Sequence, residues 1–293
     1  MNAVCWLLAM CVALTGPAAQ AQPATVRAEG EVKVAAIQFC SALGEAAANR
    51  RGLDPLIRQA ARAGAKIVVL PETAVTGYMS TDLKTTWVLP GWPVTAGLAG
   101  LHPGKFAETV PGPSTDAFAK LASELGIYLT IPLLESDPKS GRFFNTIVLA
   151  GPDGKLLLHY RKLNPWPFAE RSWATPGDRG HQYVDTPFGR LALLICYDIN
   201  FEPARLKKAK IDTLLYCIAW VDVAGSDWFE KRLPSIAREN DMNIVGANWT
   251  LPGSPAAPDW HGYGKSRIIS RAGQILARPK SDIGNDILYA TLK

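Results

Sequence analysis

Arg190-Leu-Ala-Leu-Leu-Ile-Cys-Tyr-Asp198 is a short apolar run with a nucleophile at its end. It reads as a buried β-strand, which would hold the Cys196 thiol at the carboxyl edge of a sheet, where open α/β folds place their ligand sites. Two other runs have the same form. Lys66-Ile-Val-Val-Leu-Pro-Glu72 ends on a carboxylate, and Lys155-Leu-Leu-Leu-His-Tyr-Arg-Lys162 ends on an ammonium. A thiol, a possible base and a fixed positive charge, each at a strand end, make a candidate hydrolytic site. Taken singly, each has a plainer explanation. A Cys among Leu and Ile is usually an inert core thiol, and a Glu or Lys after a strand is usually a solvated loop charge. Spacing alone does not bring the three together. A Cys/His dyad with His159 or His181 is a further alternative, since such pairs are defined by geometry; the plainer expectation is that His102, His159, His181 and His261 are loop or surface residues.

Strands are expected over residues 31–39, 66–71, 127–135, 145–150, 155–161, 190–196, 212–219, 243–249, 266–270, 274–277 and 286–291. One helix is expected with Asp54 as N-cap, Pro55 in its first turn and Gly64 past its end; a second is capped by Ser114 and stopped by Gly126. A short helix near 203–209 and another within 227–241 follow, the latter kinked or restarted at Pro234. Alternating short strands and helices in 293 residues, 48% apolar and 19% charged, argue for one α/β domain with a large core. The net charge of +5 is mild and unclustered, which speaks against a nucleic-acid partner. With no Cys-x-x-Cys pair, no His-x-x-x-His helix and no phosphate-binding Gly-rich loop, neither a metal nor another cofactor is expected.

Five strings in order carry a resemblance: Val32-Lys-Val-Ala-Ala-Ile-Gln-Phe39, Leu70-Pro-Glu-Thr-Ala-Val-Thr-Gly-Tyr78, Val110-Pro-Gly-Pro113, His159-Tyr-Arg-Lys-Leu163 and Leu194-Ile-Cys-Tyr-Asp198. Together they resemble the nitrilase superfamily of carbon-nitrogen hydrolases. The likeness continues through Trp228, Ala237-Arg-Glu-Asn240 and Asn248 to His261-Gly-Tyr-Gly-Lys-Ser266, covering about residues 31 to 292. It implies a four-layer αββα sandwich and a triad of Glu72, Lys162 and Cys196. A second carboxylate is best matched by Glu170 in Glu170-Arg-Ser-Trp173. It also implies pairing through the helical layer around the nucleophile, so a homodimer or higher homo-oligomer is expected.

The chemistry explains the residue types. A thiol with pKa near 8.5 is only a few per cent thiolate at neutral pH and needs a neighbouring base or cation. Glu72 would serve as general base and then general acid, Lys162 would stabilise the oxyanion, and a thioester on Cys196 would be hydrolysed by water that Glu72 activates and Glu170 positions. Cys196-Tyr-Asp198 looks like the amidase branches, whereas Glu170-Arg-Ser-Trp173 is similar to the nitrilase pattern. Asn200 stands where many amidase-like members carry Arg. The reading favoured is hydrolysis of a small linear amide. The alternatives are nitrile hydrolysis by the same triad and a binding protein that keeps the fold without turnover. Tyr78, Trp166, Trp173, Tyr197 and Trp220 are the expected substrate contacts, and loops 79–109 and 250–264 are expected to line the pocket or a subunit interface.

The amino terminus reads separately. Val4-Cys-Trp-Leu-Leu-Ala-Met-Cys-Val-Ala-Leu14 is too short to span a bilayer, and Ala19-Gln-Ala21 is a small-x-small cleavage signature. Residues 1–21 are therefore expected to be a signal peptide, 22–30 a linker and 31–293 the hydrolase domain. The mature protein is expected to be exported (periplasmic in a Gram-negative cell, otherwise extracellular), with no stable membrane insertion. Of the remaining cysteines, Cys40 and Cys217 look like packing residues, and no disulfide is expected.

Overall fold

The computed structural model describes residues 30–79, 102–167, 170–220, 222, 226–250 and 264–293. The amino-terminal segment and most of both long loops lie outside these, so the expectations for residues 1–29, for 80–101 and for 251–263, including His261, fall outside the described residues.

Two six-stranded sheets pack face to face. In the first, β1 (Val32–Gln38), β2 (Ile67–Val69) and β3 (Tyr128–Asp137) run parallel, flanked by β12 (Asp286–Leu292) on one side and by β4 (Arg142–Ala150) and β5 (Leu156–Arg161) on the other. In the second, β7 (Gly189–Ile195), β8 (Thr213–Ile218) and β9 (Asn243–Asn248) run parallel, with β6 (Tyr183–Thr186), β10 (Arg267–Ile269) and β11 (Ile275–Ala277) completing it. Strand periodicity sorts the layers. Val34, Ala36, Ile67 and Val69 face the second sheet. Their neighbours Ala35, Ile37, Val68 and Leu70 face outward under α1 (Ala46–Arg62) and α2 (Pro113–Leu125). The outer face of the second sheet is covered by Leu206 of α3 (Pro203–Lys208) and by Leu233, Ile236 and Ala237 of α4 (Leu233–Asn240). This is the expected αββα sandwich, and strands buried on both faces account for the unbroken apolar runs in the sequence.

The expected strands are all present, with ends moved by at most three residues, and β6 joins them. Its polar edge sequence, in which Asp185 pairs with Arg190 of β7 at 2.7 Å, carries little apolar signal. Two helix starts differ from expectation. Helix α1 begins at Ala46, with Asp54 and Pro55 inside it. Pro55 lies on the solvent side, where water can take the freed carbonyl, and Asp54 pairs with Arg58 at 2.8 Å. The extra turns are fixed by tertiary contacts that local sequence does not show. Asn49 accepts from Ala42 N and donates to Ala42 O and Val75 O, tying the helix to the loop after Glu72. In α2 the N-cap is Gly112 rather than Ser114; Ser114 sits in the first turn and gives both its N–H and its hydroxyl to Glu108. Gly126 ends the helix in the left-handed conformation, as expected. Pro234 falls in the first turn of α4, so it restarts a helix after the wider turn Trp228–Arg232.

The parallel strands of both sheets end side by side. Phe39 and Trp249 form a parallel bridge between the sheets' ends, and Glu72 N donates to Ile218 O at 3.2 Å. The carboxyl ends of β2, β5, β7 and β8 therefore deliver Glu72, Lys162, Cys196 and Ala219 to one place.

Candidate active site

Glu72, Lys162 and Glu170 meet in a site closed to solvent, the ammonium and both carboxylates being 0% exposed. Lys162 Nζ donates to Glu72 Oε1 at 2.7 Å and reaches both oxygens of Glu170, at 2.9 and 2.8 Å. Glu170 lies in a short 3-10 turn, Glu170–Ser172, that returns the chain over Lys162. Its Oε2 accepts from Trp166 N at 2.7 Å and its Oε1 from Tyr78 OH at 3.2 Å. Glu72 Oε2, by contrast, has no hydrogen-bond partner among the described residues.

Cys196 stands at the turn between β7 and a 3-10 segment, Cys196–Asn200, with φ of 40°. Thr73, next to Glu72, has φ of 47°. Left-handed backbone at a residue bearing Cβ costs about 1–3 kcal/mol and persists where the surroundings over-determine it. They do so at Cys196. Tyr216 OH donates to the Cys196 carbonyl at 2.8 Å. The buried carboxylate of Asp198 accepts from Tyr160 OH at 2.7 Å, Asn164 N at 2.8 Å and Asn164 Nδ2 at 3.0 Å. The turn at Cys196 is thus tied to the strand that leads into Lys162 and to the segment after it. Cys196 Sγ donates to Ala219 O at 3.7 Å, which seats the thiol against the end of β8.

The charges act on one another. Burial, reinforced by the negative charge of Glu72, pushes the Cys196 thiol well above its ordinary range, against the pull of Lys162. Burial likewise raises Glu72, since Lys162 only partly compensates and Glu170 adds like charge. Glu170 goes the other way. Burial would raise it, but Lys162 and its other donors outweigh that, and its carboxyl falls below the usual range. Two carboxylates sharing one ammonium are therefore driven apart: Glu170 favours its ionised form and Glu72 holds its proton more tightly.

Among the expected substrate contacts, Tyr78 and Trp166 touch Glu170 as described. Trp173 packs in a small apolar cluster with Met79, Leu134 and Ala174, 7% exposed, and its indole N–H donates to Met79 O at 3.0 Å. Tyr197 is half-buried and meets Phe201 edge-on at 5.2 Å. Trp220 continues from Ala219 and stacks on Trp228 at 4.3 Å. Of the histidines, His102 and His181 lie in loops, as expected, whereas His159 belongs to β5. His159 and His181 are bonded to the buried carboxylates of Glu135 and Glu202, at 2.8 and 2.7 Å. Among the described residues no group of three His, Cys, Asp or Glu side chains is placed to hold a metal ion, and no helix is long and apolar enough to cross a membrane.

Several residues at the site carry no assignment from sequence. Asn145 donates to both Glu72 and Glu170, at 2.7 and 2.8 Å. Its signal was the polar pair Asn145-Thr146 inside a buried apolar strand. Asn248 exchanges hydrogen bonds with the Trp220 backbone in both directions, at 2.9 Å each, and so fixes the segment beyond Ala219. Asp198 and Tyr216 have no signal beyond their nearness to Cys196 and to the end of β8.

A fold of two mixed sheets with this site at their joined ends defines a hydrolase scaffold, and comparison with known proteins agrees. Residues 33–293 match the carbon-nitrogen hydrolase family, and the chain belongs to it, as an amidase-like enzyme of the nitrilase superfamily. The omega-amidase NIT2 of Xenopus tropicalis is 31% identical over 240 residues, covering 78% of this chain and 77% of the relative; the human omega-amidase NIT2 is 32% identical over 238 residues, covering 76% and 75%. Among solved structures, an amidase from Nesterenkonia superposes with a TM-score of 0.71 at 20% identity, covering 92% of each chain.

Proposed function

We propose that the protein hydrolyses a small, linear, non-peptide amide through a thioester on Cys196. The observation that carries this reading is the pair of unequal carboxylates on one buried ammonium, with Glu72 Oε2 unengaged among the described residues and the Cys196 thiol near enough to feel the charge of all three groups. As sulfur attacks the amide carbon, the thiol proton passes to Glu72 Oε2. Neutralised Glu72 then holds Lys162 less strongly, which frees an N–H for the oxyanion; one such donor is worth about 3–4 kcal/mol of barrier. The tetrahedral adduct collapses to the thioester, Glu72 returns the proton to nitrogen, and ammonia or an amine leaves. A water deprotonated by Glu72 then attacks the thioester carbon, releasing the acid and restoring the thiol. Glu170, saturated by its donors, keeps Lys162 charged and in place.

The relatives support an amide substrate. Variants of the Nesterenkonia amidase with a cysteine replaced by alanine have been seen with acrylamide and with butyramide, and another variant with the acetamide moiety of fluoroacetamide on its active-site cysteine. Ammonia release from a panel of aliphatic amides and nitriles tests the reading. The expected result is turnover of amides, lost by at least about 10³-fold in Cys196→Ala, Glu72→Gln and Lys162→Met with the fold intact. Faster release from nitriles would make the enzyme a nitrilase; no release from any member would leave a binding protein.

Export is part of the same proposal, supported by the apolar run from Val4 to Leu14 and by Ala19-Gln-Ala21. Amino-terminal sequencing of the protein secreted with its own leader should begin at Gln22. A homodimer is supported by Phe201, a large apolar side chain 52% exposed between the nucleophile's turn and α3. Light scattering in solution gives the mass that tests it.

A further inference from the structure

We propose that Asn145 is a positioning residue of the acid-base system, whose amide locks the Glu72 carboxylate so that Oε2 alone meets the thiol; this rests on Glu72 being the base and deepens that reading. Asn145 Nδ2 donates to Glu72 Oε1 at 2.7 Å and to Glu170 Oε1 at 2.8 Å. Lys162 Nζ donates to the same two oxygens, at 2.7 and 2.9 Å. Two donors and two oxygens close a four-cornered ring in which the base and the standing anion share both partners. An ammonium on a flexible stem can slide between the two oxygens of a carboxylate. A second donor on Oε1 removes that freedom, and the carboxylate can no longer rotate without breaking two bonds.

Asn145 is itself well anchored. It lies in β4 opposite Leu134 of β3, it is 1% exposed, and its carbonyl accepts from Lys162 N at 2.8 Å. Its own Oδ1 has no partner among the described residues. A buried amide oxygen left unpaired is a standing penalty that an aliphatic residue at the same strand position would avoid, so the two N–H bonds are what the amide is there to make. An amide also suits the electrostatics. It donates to the ionised form of Glu72, lowering that group's proton affinity, without adding a charge to a site that already balances two carboxylates against one ammonium.

Asn145→Leu keeps the volume and removes both donors. The expected result is a fall in kcat of about 10²-fold, with KM within about threefold. The acid limb of the kcat/KM profile should move up by about one pH unit, because ionised Glu72 has lost a donor. A change acting only on folding would lower the melting temperature and leave the limb in place, and that result overturns the proposal. So does a Leu variant with wild-type kcat. Should Asn145→Leu fail to fold, Asn145→Ser is read by the same two measurements. Glu72→Gln is run in parallel. If it retains turnover, the base assignment itself is wrong; if it is inactive while Asn145→Leu matches wild type in rate and limb, only the inference about Asn145 falls.

Discussion

Glu135 offers a stability measurement with a sign that can be worked out in advance. Its carboxylate, 2% exposed, accepts from Thr146 Oγ1 at 2.6 Å, Arg161 Nε at 3.1 Å and Arg161 Nη2 at 2.5 Å, and is bonded to His159 Nε2 at 2.8 Å. Burial would raise its pKa, but those donors more than offset it and hold the group at about 2, against an ordinary 4.5. The ionised form is thus favoured in the folded state. Its contribution is fully present above the unfolded-state value and is lost as pH falls from about 4.5 towards 2. At neutral pH the difference corresponds to at most about 3 kcal/mol. Glu135→Gln should therefore lower the unfolding free energy by up to that amount at pH 7. The actual loss should fall below this bound because Arg161 keeps Asp178 at 3.0 Å. Urea unfolding of both proteins at pH 7, 5 and 3 reads the effect. The gap between wild type and variant should narrow as the pH falls. A gap independent of pH would refute the assignment of that stability to the ionised carboxylate.

Burial raises the Glu72 carboxyl, so kcat/KM should rise with pH through an acid limb lying above the ordinary glutamate range, and a limb near 4 would contradict the dry environment of the base. Cys196→Gly should be about as stable as Cys196→Ala, because relief at φ of 40° offsets the flexibility glycine adds to the unfolded chain; thermal melts placing the Gly variant lower by more than about 1.5 kcal/mol, the ordinary order at a buried site, would argue against a strained turn. Trp173→Ala should cost about 3–5 kcal/mol of stability, since the ring packs in an apolar cluster. Denaturation curves check this, and a stable variant with altered amide preference would instead support Trp173 as a substrate contact.

Much of the sandwich was legible because its strands are buried on both faces and announce themselves as continuous apolar runs. The helix starts were less so. At α1 the local signals, Asp54 and Pro55, pointed inside the helix, and the true first turn is held by Asn49 reaching Val75 O across the fold. At α2, Ser114 had the chemistry of a cap but spends it on Glu108. Glu72, Lys162 and Cys196 could be named from residue type and position at strand ends, and Glu170 from the family resemblance alone. The opposite shifts of the Glu72 and Glu170 carboxyls could not, because the direction of each depends on which donors surround it.

What the linear chain determined by itself was which residues are apolar, and hence where strands and their polar ends fall. Tertiary structure alone decided that the ends of β2, β5 and β7 adjoin, that Asn145 stands between two glutamates, and that Cys196 turns with a left-handed backbone. Apolar periodicity is a local property that each segment carries with it. Proximity, desolvation and the sharing of one ammonium by two carboxylates arise only when segments distant in sequence are packed together and water is excluded between them.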